Sequence, residues 1–148
     1  MVIRPMENRD KETVLNMVDA MYNSGAVDHR VASPVLEKAF DDAVGANPHV
    51  KGYLIEIDDC PAGYVYLIFT YSCEVAGNVV MIEEFFVDKK FRGNGVGQMF
   101  LDWLFKEFPD TRRFRLEVTE HNRATHLYKR NGFKYLDYNQ MVYDKKTK

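Results

Sequence analysis

The six residues Arg92-Gly93-Asn94-Gly95-Val96-Gly97 join one guanidinium to three glycines. Glycines let backbone N–H groups approach a ligand closely and adopt positive φ. The segment lies between a strand-like run and the start of an amphipathic helix, whose unpaired first-turn amides and dipole favour an anion. Arg92 adds a planar donor fork suited to phosphate oxygens, so a pyrophosphate is the natural occupant. Upstream stand Glu83 and Glu84, adjacent carboxylates able to take a proton from a group within hydrogen-bond reach.

Other readings of the loop are a plain glycine-rich turn, a P-loop and a dinucleotide-binding turn. No Gly-Lys-Ser/Thr follows, which excludes the P-loop. Glu117 lies about 20 residues beyond Gly97, as a dinucleotide fingerprint requires. Yet Gln98 stands where that fingerprint wants glycine.

The elements around these residues follow from hydrophobic periodicity. Val2 to Arg4 reads as a short strand stopped by Pro5. Val14, Leu15, Val18, Met21 and Tyr22 recur at helical spacing over 10–22. A second helix is predicted from Ser33-Pro34, with Ser33 as cap, to Gly45. Tyr53 to Ile57, Tyr64 to Val75 and Val79 to Val87 then read as three strands of a meander. A helix from about Gly95 to Phe108 carries Val96, Phe100, Trp103 and Leu104 on its apolar side, and Pro109 stops it. Arg113 to Thr119 is the next strand. Asn122 is placed to cap a short helix ended by Asn131-Gly132, and Phe133–Tyr138 with Met141–Tyr143 make a final hairpin. The order is βααβββαβαββ: an α/β fold with a mixed, mostly antiparallel twisted sheet and helices on both faces. The strands flanking the Gly95 helix are expected to be parallel.

Arg92 to Gly97 resembles the Arg/Gln-x-x-Gly-x-Gly/Ala signature of the GNAT superfamily of N-acetyltransferases. Ile82-Glu83-Glu84-Phe85-Phe86-Val87 is similar to the strand that precedes that signature. The run from Asn122 through Ala124, Leu127 and Tyr128 to Gly132-Phe133 resembles a later segment of the same family.

The resemblance implies acetyl-CoA as cofactor, its pyrophosphate on Arg92, Gly93, Asn94, Gly95, Val96 and Gly97. The pantetheine would pair like an added strand with Phe85, Phe86 and Val87, and a backbone amide there would polarise the thioester carbonyl. Asn122 and Tyr128 match positions near the thiol. Glu83 matches the base of members of the spermidine/spermine acetyltransferase type, with Glu84 the second candidate. Strand alternation sends the two to opposite faces unless a bulge intervenes. Tyr128 is the expected general acid. Tyr22, His29, Tyr71 and Ser72 are candidates for the acceptor pocket. The implied reaction is direct attack of a primary amine, carried by a small molecule or a peptide, on the thioester, and a CoA-binding regulatory module is the alternative. Members of the family are often homodimers.

Composition narrows the class. At 148 residues with 46% hydrophobic content, the chain fits one folded domain. A net charge of −2 gives no basic field to recruit nucleic acid. Cys60 and Cys73 show no metal-ligand spacing and are too few for a disulfide framework. The first residues turn charged at once, unlike a leader, and no apolar run approaches the ~20 residues of a membrane span. A cytoplasmic protein without a metal is expected.

Overall fold

The computed structural model describes residues 1–24 and 31–145. Its elements in chain order are β1 (Val2–Pro5), α1 (Lys11–Tyr22), α2 (Ser33–Val44), β2 (Val50–Ile57), β3 (Cys60–Ser72), β4 (Gly77–Val87), α3 (Val96–Glu107), β5 (Arg113–Leu116) and α4 (Thr125–Arg130). The five strands form one sheet in the order β1-β2-β3-β4-β5. The first four are antiparallel neighbours. β4 and β5, which flank α3, are parallel.

Helices cover both faces, and their apolar stripes divide between two cores. On one face Val14, Val18 and Met21 of α1 and Phe40 of α2 pack on Leu54, Tyr64 and Phe86. On the other, Phe100, Leu101 and Leu104 of α3 meet Val65, Leu67 and Val80. Trp103 packs against this second core, edge-on to Tyr53.

Local chemistry moves several boundaries from their expected places. Asp58 and Asp59 both take positive φ, 50° and 60°, so β2 and β3 turn in two residues and β3 begins at Cys60. Short polar side chains tolerate that conformation. Ala32, not Ser33, is the residue before the first turn of α2, and Pro34 sits inside that turn. β5 ends at Leu116 rather than at Thr119.

The final hairpin is a correction. Residues 133–145 form neither helix nor strand, and Met141 is 96% exposed. Their apolar pattern suits a strand, but β5 offers only four residues to pair with. Single side-chain hydrogen bonds hold the segment instead, from Tyr138 to Glu74 and from Gln140 to Glu117. An unburied two-stranded ribbon is only marginally stable in water.

Candidate active site

One irregularity on β4 organises the site. Glu84 lies opposite Tyr66 of β3, while Leu67 lies opposite Ile82. Glu83 is therefore the extra residue of a β-bulge, and the alternation of faces reverses across it. Before the bulge, Val80 and Ile82 face the α3 core. After it, Phe86 faces the α1 core and Phe85 stacks on Phe100 of α3, ring centroids 4.3 Å apart.

The bulge also marks where two strands part. Pairing of β4 with β5 runs from Val79 to Ile82 and stops. From Glu83 to Val87 the edge of β4 has no β5 partner, which leaves a wedge open beside Phe85, Phe86 and Val87.

At the end of that edge comes the glycine loop. Gly95 precedes the first turn of α3 with φ 76°, and no side chain caps the helix. The first bond of the helix runs from the Met99 amide to the Gly95 carbonyl, so the Val96, Gly97 and Gln98 amides lack intrahelical acceptors. A Cβ at Gly93 or Gly95 would meet nothing within 4 Å, so the space over these amides is open. Arg92 Nε donates to the Val87 carbonyl at 2.7 Å and its guanidinium lies 5.5 Å from the Phe86 ring centre. Those contacts fix the cation beside the loop. Asn94 folds back on the Phe91 and Arg92 carbonyls.

Close packing holds α4 against this loop. A Cβ on Gly97 would sit 2.6 Å from Leu127 Cδ2, and the Gln98 and Asn131 amides bond each other reciprocally at 2.8 and 2.9 Å. Asn122 does not cap α4 directly. Its Oδ1 accepts from the Ala124 amide at 2.9 Å, one turn ahead of the helix. Tyr128 is buried among Ala124, Leu127 and Phe133, and burial pushes its hydroxyl up to about 12. It therefore stays protonated at neutral pH.

The two glutamates differ in surroundings. Glu83 is accessible to water, but the protein around it desolvates it and pushes its carboxyl up, helped by the charges of Glu117 and Glu84. Glu84 is half-buried and accepts two hydroxyls, Tyr22 Oη at 2.9 Å and Tyr64 Oη at 2.8 Å. Burial raises its carboxyl, and those two bonds pull it back.

Tyr22 thus joins the glutamates, whereas Tyr71 does not. Tyr71 is 64% exposed and pairs with Asn78, five residues along β3 from Tyr66, roughly 17 Å away. Ser72 lies beyond it at the same end, and His29 falls outside the described residues. Tyr64 and Tyr66 were not expected at the site. The sequence reads them only as part of a strand, and the register across β3 and β4 puts them beside Glu84.

A family model, the acetyltransferase (GNAT) family, matches residues 16–133. The chain belongs to that family. Matching residues run from within α1 to just beyond α4 and include the bulge, the open edge and the glycine loop. No curated protein matches the chain. Solved structures share the GNAT fold over nearly its full length. A possible acetyltransferase from Clostridium difficile 630 is 20% identical, with 99% of this chain and 98% of that one covered and a TM-score of 0.79. Ribosomal-protein-alanine N-acetyltransferase from Brucella melitensis is 14% identical over 97% of each chain, TM-score 0.76. A predicted acetyltransferase from Clostridium acetobutylicum, determined with acetyl-CoA, is 17% identical over 96% and 95%, TM-score 0.75.

The GNAT cofactor fits the residues present. Open glycines, unpaired helix amides and Arg92 suit a pyrophosphate, and the unpaired β4 edge suits an extended amide chain. Among the described residues no group of His, Cys, Asp or Glu is arranged to hold a metal, and no helix is long and apolar enough to cross a membrane.

Proposed function

We propose that this GNAT chain transfers the acetyl group of acetyl-CoA to a primary alkylamine, with Glu83 as base and Tyr128 as acid. The observation that carries the reading is the continuous path from the uncapped α3 terminus, along the open β4 edge, to the bulged Glu83. Acetyl-CoA, when bound, supplies an acyl group on a thioester whose thiolate is the leaving group. The Val96, Gly97 and Gln98 amides and Arg92 bind its phosphates, and the Phe85–Val87 backbone aligns the thioester end.

An alkylamine with pKa near 10 is mostly protonated at neutral pH. Glu83 takes one proton from the ammonium, freeing the lone pair for attack on the acyl carbon. As the C–S bond breaks, Tyr128 gives its phenolic proton to the departing sulfur. The proton shed by the acylated nitrogen restores the phenol, and Glu83 releases the proton it took to water. Asn122 shapes the turn that brings Tyr128 to the thiol end. The match of Glu83 to the base of spermidine/spermine-type members supports a small aliphatic acceptor, and a homodimer is the assembly we favour.

Thiol release from acetyl-CoA with a panel of amines tests this. Glu83→Gln should lower turnover by about 10²–10⁴-fold while acetyl-CoA affinity stays within a factor of about two. Acetyl-CoA binding with no amine consumed would instead assign the chain as a CoA-binding regulatory module.

A further inference from the structure

Glu84 is a half-buried carboxylate that no lysine, arginine or histidine among the described residues neutralises. Its two oxygens accept one tyrosine hydroxyl each. A carboxylate offers about four lone-pair positions, so acceptor capacity remains. A second, independent observation lies directly opposite on β3. Tyr66, paired with Glu84 in the β3–β4 register and packed in one core with Tyr64, is only 5% exposed, yet its buried hydroxyl has no hydrogen-bond partner among the described residues. Leaving such a group unpaired costs roughly 1–3 kcal/mol, so this hydroxyl, close enough to Glu84 for that charge to help hold its proton, has hydrogen-bonding capacity to spare. The rings of Tyr64 and Tyr66 lie edge to face, 5.4 Å apart, and aromatic walls of this kind favour cations.

We propose that Glu84 docks the acceptor as its alkylammonium ion, with the Tyr66 hydroxyl accepting one of its N–H groups, before Glu83 removes the proton. The proposal rests on the acetyl-transfer reading and deepens it by dividing labour between adjacent glutamates. Glu84 is a specificity residue and Glu83 the base. The bulge makes this geometry, since it turns Glu84 to the α1 face while Glu83 stays at the mouth of the wedge. The acceptor class follows: aliphatic amines, cationic at neutral pH, are taken. Arylamines and alcohols, which are neutral there, are not.

The test has a binding arm and a kinetic arm. In the first, NMR titration of the cofactor-free protein with n-butylamine is compared with n-butanol and aniline. Butylamine should bind at least about tenfold more tightly than either, and Glu84→Gln should erase that difference. Tyr66→Phe, which keeps the ring and the fold, should weaken butylamine severalfold. In the second arm, Glu84→Gln should raise the KM for butylamine about tenfold with kcat little changed, the converse of Glu83→Gln. Equal binding of the amine and its neutral analogues, or a Glu84→Gln variant that loses kcat at unchanged KM, would overturn the assignment. Ammonium-selective binding without any thiol release would sink the transfer reading and leave the Glu84 site standing.

Discussion

At the residue scale, surroundings decide what each glutamate does. Glu83 and Glu84 are chemically identical neighbours, yet one sits at an open edge beside another carboxylate and the other is fastened by two phenols. Raising the Glu83 carboxyl has a defined sign. The group keeps its proton to a higher pH than an ordinary glutamate, so the competent base form accumulates later as pH rises. The acid limb of kcat should accordingly lie above the usual glutamate range. Glu117→Gln removes a like charge and should move that limb to lower pH, with acetyl-CoA affinity unchanged; a pH profile of kcat for both proteins checks it. An unmoved limb would disconnect Glu117 from the base. From sequence, Glu83 and Tyr128 stood out through the family resemblance. Tyr64 and Tyr66 did not, because an aromatic in a hydrophobic strand reads as core until its cross-strand neighbour is known.

At the scale of elements, the bulge and the glycine loop do different things. The loop was legible, since glycine spacing before a helix states a backbone requirement. The bulge was only a conditional expectation, because an extra residue leaves no mark on composition and shows itself in register alone. Beyond the bulge, Gly63 of β3 lies opposite Val87. A Cβ there would come within 2.3 Å of the Phe86 carbonyl oxygen, and backbone cannot yield as a side-chain tip can. Gly63→Ala should therefore cost about 1–3 kcal/mol and displace the Phe85–Val87 edge, weakening acetyl-CoA binding as well as lowering Tm. Thermal melts and titrations of this variant measure both effects, and an unaltered cofactor affinity would show that the edge does not hold the pantetheine. Gly97→Ala meets only the end of the Leu127 side chain and should be much milder.

For the molecule as a whole, the order of elements through β5 and α4, the parallel β4–β5 pair and the helices on both faces were readable, because each rests on a local period. Long-range features were not. Arg4 forks onto Asp10 at 2.8 and 2.9 Å and onto Glu56, 52 positions away, at 2.9 and 3.1 Å, tying β1, β2 and the entry to α1 together. Nothing in the local pattern of Arg4 announces that partner. The last segment failed for the opposite reason. Its aromatic-rich makeup suits a strand, but pairing depends on a neighbour, and β5 is too short to serve.

Every role given to Glu83, Glu84 and Tyr128 depends on acetyl-CoA lying along the open β4 edge with its pyrophosphate on the glycine loop. Calorimetric titration of the folded protein with acetyl-CoA, with NAD as control and Gly95→Asp in parallel, decides whether that binding occurs. We expect saturable binding of acetyl-CoA and none of NAD. In Gly95→Asp, acetyl-CoA binding should be at least about tenfold weaker, because φ 76° disfavours any side chain and the carboxylate repels phosphate. No acetyl-CoA binding by the folded wild type, or equal affinity in the variant, would contradict it.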